Sequence, residues 1–116
     1  MIILNKIIKD KEILKNIEEE TYFDDMINCV VDVKREVLAI NAELHSDLEE
    51  LLLESGSDQH DLYGINILFD PWEVEYDSLI NPPRNREAGY PRGGRYVADP
   101  EMRKKIEEVV KKWIEM

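Results

Sequence analysis

Cysteine is almost absent from this chain: Cys29 stands alone among 116 residues. A single thiol excludes an intrachain disulfide and excludes a cysteine-built zinc site from this chain alone. Cys29 lies in the apolar run NCVVDV, where an inert buried thiol is expected and no neighbour supports a reactive one. Histidine is nearly as scarce, with only His45 and His60. No apolar run approaches the roughly 18 residues of a membrane span. The opening MIILNKIIKDKEIL is interrupted by Lys6, Lys9, Asp10, Lys11 and Glu12, and it has neither a secretory apolar core nor a small-residue cleavage site. A cytoplasmic protein with no membrane partner is therefore expected. Nucleotide fingerprints are missing, since neither GxGxxG nor GxxxxGKS/T occurs. Ser55 and Ser57 lack the GxSxG context of a nucleophile.

Positive charge is also in short supply. Lys and Arg number 15 against 26 Asp and Glu, for a net charge of −11. A nucleic-acid duplex repels such a body, which argues against general nucleic-acid binding. The deficit is unevenly spread. Residues 1–80 carry 6 − 20 = −14 and residues 99–116 carry 5 − 5 = 0, while residues 81–98 carry 4 − 1 = +3. That last stretch, NPPRNREAGYPRGGRYVA, holds Arg84, Arg86, Arg92 and Arg95 against Glu87 alone.

What is present reads as one globular α+β domain over 1–116, with 43% hydrophobic and 35% charged residues. Ile2–Leu4 suits a short opening strand, free to pair parallel to another. Asp10 can cap a helix beginning KEILKNIEEE. Glu18, Glu19 and Glu20 oppose the dipole at its far end, so it should fray before Asp24. Residues 26–33 alternate with one apolar face, and residues 37–42 follow as a hairpin partner. Ser46 and Glu49 fit a capping box, with Leu48, Leu51 and Leu52 as a helix stripe and Gly56 as the stop. Residues 62–69 are apolar on both faces, as a central covered strand would be. Residues 72–80 alternate cleanly and carry acids outward. Residues 81–98 read as a Pro/Gly/Arg-rich loop. Asp99 and Pro100 open the last helix, with Met102, Ile106, Val109, Val110 and Trp113 on one stripe. The order β-α-β-β-α-β-β-α predicts a mainly antiparallel sheet of about five strands with helices packed on one face.

Two groups could carry chemistry. In the first, Glu43, His45 and Asp47 lie at the start of the 46–54 helix, and Gln59, His60 and Asp61 follow its other end. Histidines and carboxylates can hold a divalent metal or move protons, which would suit a small metal-assisted hydrolase. A helix of that length separates the two histidines by roughly 13 Å, and no HExxH, HxH or DxD spacing occurs. In the second, Asn81, Arg84, Arg86, Tyr90, Arg92 and Arg95 could grip a phosphate or carboxylate, because guanidinium forks match those groups. Against this stands simple pairing of the arginines with Glu73, Glu75 and Asp77. The first reading is a non-enzymatic binding or regulatory module that engages an anionic ligand or protein partner through the arginines. The sequence points to no particular cofactor.

The segments ELHSD, LLLESGSDQHDLYGINI and EYDSLIN resemble a small bacterial and archaeal family classed as a domain of unknown function. The matching positions are Glu43, Leu44, His45, Asp47, Leu51, Leu52, Gly56, Ser57, Gln59, Asp61, Leu62, Gly64, Asn66, Ser78, Ile80 and Asn81. Ala42, Ser46 and Tyr63 depart from the pattern. The resemblance covers roughly residues 30–110 and brings no activity. It implies that His45, Asp47, Gln59, Asp61 and Asn81 belong to one pattern, as a shared polar site would.

Overall fold

The computed structural model describes residues 1–116. Five strands, β1 (Ile2–Ile3), β2 (Met26–Asp32), β3 (Val37–Ile40), β4 (Leu62–Phe69) and β5 (Trp72–Glu75), form one sheet in the order β1-β3-β2-β4-β5. Every neighbouring pair is antiparallel. Four helices accompany it: α1 (Lys11–Lys15), α2 (His45–Glu54), α3 (Asn81–Glu87) and α4 (Pro100–Trp113). A single 3₁₀ turn, Gln59–Asp61, leads into β4. The α+β class, the mainly antiparallel sheet and both hairpins are as the sequence predicts.

The alternation along β2 explains how the sheet is covered. Ile27, Cys29 and Val31 point into a core shared with α4 residues Ile106, Val109 and Val110 and with Leu14 of α1. Val30 points the other way, into a second core built with Leu48 and Leu52 of α2 and with Ile80. Helices therefore pack on both faces, not on one. The reason is that β2 and β4 have apolar residues on both sides, and each side needs a cover. The middle strand is β2; β4 is paired by β5 only over residues 66–69.

Other boundaries differ for physical reasons. Strand β1 pairs antiparallel to β3, with Ile2 opposite Ile40 and Ile3 opposite Ala39, rather than parallel to any strand. Helix α1 stops at Lys15, ahead of the three glutamates. Helix α2 starts at His45 with Leu44 as its N-cap and no side-chain cap, so Ser46 and Glu49 form no capping box. Asp10 and Asp99 do cap their helices, accepting from Ile13 and Glu101 N–H. The strand expected over residues 72–80 ends at Glu75, although Asp77 bridges Tyr96 further on.

The largest difference is at residues 81–87, which form helix α3 instead of the start of a loop. Pro82 and Pro83 sit in its first turn, where missing N–H groups cost nothing. This helix lies along the half of β4 that β5 leaves bare. Gly64 N–H donates to Asn81 Oδ1 at 2.9 Å, and Asn81 Nδ2 donates back to Gly64 O at 2.9 Å. Arg84 Nε donates to Leu62 O at 3.1 Å. Side chains of α3 thus satisfy the exposed strand edge as a sixth strand would. Gly64 permits this approach. A Cβ at that position would sit 2.3 Å from Ser78 Oγ and 3.0 Å from Ile80 Cγ1.

Candidate functional site

The segment 81–98 is ordered by asparagines more than by arginines. Asn85 is buried; its Nδ2 donates to Gly94 O and Tyr96 O, and its Oδ1 accepts from Ala98 N–H. Asn81 adds a bond to Arg95 O at 2.9 Å. Backbone bonds from Ser78 N–H to Arg95 O and from Val97 N–H to Tyr76 O close the base of the excursion. Asn81, named above as a ligand residue, is thus wholly engaged inside the fold. The Tyr90 side chain is exposed, while its N–H donates to Asn85 O.

The four arginines separate into three situations. Arg84 is buried and pairs with Glu49 through Nη2, while Nη1 donates to Ile80 O and Nε to Leu62 O. Its guanidinium is spent on the fold and cannot reach a ligand. Arg86 and Arg92 are exposed and pair with no acid; Arg86 lies against Gly93, where a Cβ would be 2.8 Å from its Nη1. Arg95 sits between these extremes. Its Nε meets Asp77 Oδ1 at 3.0 Å, and both Nη groups remain free.

The two histidines do not converge. His60 is exposed and pairs with Glu87 Oε2 at 2.8 Å, a contact that raises its pKa above the ordinary value. Gln59 Nε2 donates to Glu49 Oε1 at 3.1 Å. Asp61 gives its carbonyl to Val33 N–H, and Asp47 carries its N–H back to Leu44 O. His45 instead turns inward at the start of α2, and its Nε2 lies 2.8 Å from Ile65 O. A carbonyl only accepts, so Nε2 carries the hydrogen and Nδ1 is left with a lone pair. Burial pushes the imidazole below its ordinary pKa, against the pull of the Ile65 carbonyl, Asn66 and Asp77; Arg95 adds to the lowering. No group of three or more His, Cys, Asp or Glu side chains is close enough to hold a metal ion.

His45 and Arg95 nevertheless meet. Between residues 43–46 and the Leu79–Ile80 turn lies a hollow of about 250 Å³, walled also by Met26, Asn66 and Arg95. Its floor is Asn66, only 4% exposed, whose Nδ2 donates to Glu75 Oε1 at 2.9 Å and to Asp77 O at 3.3 Å. The Asn66 Oδ1 is buried without a donor. The uncapped N-terminus of α2 opens at the same place, and its free N–H groups carry the positive end of the helix dipole. The residues around it include both donors and acceptors, with Leu44 and Leu79 exposed at the rim.

The sequence groups Glu43 with His45 and sets Arg95 in a separate cluster. It gives Asp77 as one of the acids that would pair with the arginines, as Arg95 does here, and Asn66 only as a position of the family pattern; Leu79 it leaves out. The available signal was Asn66 itself, a carboxamide inside a strand otherwise apolar on both faces. Of the pattern positions quoted above, Glu43, Leu44, His45, Asn66 and Ile80 line this hollow. Asp47, Gln59, Asp61 and Asn81 lie elsewhere, and Gly64, Ser78 and Asn81 belong instead to the packing of α3 on β4.

No curated protein matches this chain, and no solved structure does. One family does match, over residues 2–113, under the description "Protein of unknown function (DUF5674)". That match spans nearly the whole sequence, and the chain belongs to that family.

Proposed function

We propose that this protein is a binding module for a small molecule bearing a carboxylate, which seats in the hollow between the start of α2 and Arg95. The observation that supports this best is the meeting of two donor sets at one concave place. Arg95 keeps its forked Nη groups free beside the hollow, and α2 opens into it without a cap. Guanidinium and helix N-terminal amides together favour a carboxylate. This reading keeps one arginine of the segment and gives Arg84 and Asn81 structural work instead. Arg86 and Arg92 remain outside the hollow and are not part of it.

Thermal melting against a panel of small monocarboxylates, dicarboxylates and inorganic phosphate tests the reading. A ligand that binds only the folded state raises Tm, by about 2.7 kcal/mol of stabilisation at a hundred times Kd. The expected result is a rise with monocarboxylates that Arg95→Ala removes and Arg92→Ala leaves unchanged. A rise that survives Arg95→Ala, or no rise with any carboxylate, overturns it.

A further inference from the structure

The donor side of the hollow accounts for a carboxylate, but the remaining walls ask for more. We propose that the ligand is a small α-amino acid with an apolar side chain; this rests on the carboxylate reading above and extends it. The other polar side chains around the hollow end in acceptors. Asn66 Oδ1 is buried without a donor while both hydrogens of its Nδ2 are already committed. His45 has its Nε2 hydrogen fixed on Ile65 O and holds a lone pair on Nδ1. Glu43, an exposed residue that also lines the hollow, carries a carboxylate. Acceptors at this density, one of them charged, are met by an ammonium group, which has three donors and no acceptor.

Charge points the same way. Glu43, Glu75 and Asp77 lie in or next to the hollow with Arg95 as the cation, so the local sum is 1 − 3 = −2 with His45 neutral. A plain carboxylate deepens that to −3 and a dianion to −4, whereas a zwitterion leaves it at −2. The rest of the wall is apolar: Met26, Leu44, Leu79 and Ile80. Leu44 and Leu79 are exposed by 56% and 72%, and an aliphatic side chain would cover them. The volume of about 250 Å³ falls just below the roughly 300–1,000 Å³ of drug-sized pockets, which suits a single amino acid.

Two probes that differ only in the α-ammonium test this: L-norvaline and pentanoate, titrated calorimetrically into the full chain. Norvaline should bind about tenfold or more tightly than pentanoate, the scale of one hydrogen-bonded charge. Arg95→Ala should abolish both. Glu43→Gln should weaken norvaline about tenfold and leave pentanoate equal or tighter. The His45 ring resonances should shift on adding norvaline, which locates the ligand independently of any variant. Pentanoate binding as well as norvaline, both lost in Arg95→Ala, overturns the amino-acid inference and leaves the carboxylate reading standing. Binding of norvaline that survives Arg95→Ala without moving His45 overturns both. If norvaline, leucine and methionine all fail to bind, the amino-acid inference is overturned, and the carboxylate panel then judges the simpler reading alone.

Discussion

Replacing Arg84 with methionine separates its structural work from any ligand role. Arg84 is 6% exposed and its partner Glu49 is 14% exposed, both in side-chain terms. Three of its nitrogens are used: Nη2 on Glu49, Nη1 on Ile80 O at 3.0 Å and Nε on Leu62 O at 3.1 Å. Methionine fills much of the volume but leaves a nearly buried carboxylate without its counter-charge. Breaking one side of such a pair costs about 3–5 kcal/mol. The two stranded carbonyls contribute to the same loss, so about 4 kcal/mol is the working figure. For a chain of this size that corresponds to a fall in Tm of roughly 15 °C. Urea unfolding followed by circular dichroism reads it directly, with Arg92→Met as the exposed control expected within about 0.5 kcal/mol of the parent. The double variant Glu49→Met with Arg84→Met should cost less than the sum of the singles, because no charge is left behind. An Arg84→Met protein as stable as Arg92→Met would refute the argument and return Arg84 to the list of available donors.

Three further outcomes follow from the same contacts. Gly64→Ala forces a Cβ to 2.3 Å from Ser78 Oγ; it should destabilise by about 3 kcal/mol through overpacking and disturbed Asn81 bonds, and Ser78→Gly in the same chain should recover part of the loss. The two histidines should titrate on opposite sides of the ordinary value of about 6.5 when followed by NMR, His45 below and His60 above. Because the folded pKa of His45 is lowered, its contribution is present above the unfolded pKa and is lost as pH falls through the folded one. Stability should therefore decline as pH drops below about 6.5, less steeply in His45→Gln; an unchanged slope counts against a buried neutral imidazole. Cys29 is buried and its thiol is pushed upward by desolvation, so a thiol reagent should label the native chain only at the rate of unfolding; fast stoichiometric labelling contradicts the packing.

Local patterns carried the elements that depend on local physics. The caps at Asp10 and Asp99, the alternation of β2 and the amphipathic stripe of α4 are short-range devices, and each is where the sequence placed it. The NPPR turn misled for an equally local reason: two prolines read as a loop unless something rewards helix, and the reward here is the bare half of β4, 17 residues back along the chain from Asn81 to Gly64. The arginine segment was visible as charge, yet charge says nothing of burial. Glu49, on a different helix, and the carbonyls of Leu62 and Ile80 hold Arg84 inward.

Composition and periodicity by themselves determined that this is an acidic α+β chain without disulfides or a membrane-crossing helix, with two hairpins and a strong final helix. The tertiary structure alone decided that helices cover both faces, that α3 stands in for a missing strand, and that His45, Asn66 and Arg95 share one hollow. The physical reason is separation along the chain. Propensity and capping act over a few residues, whereas the last three residues come from a helix start, a strand and a loop, and only the pairing of distant segments places their side chains together.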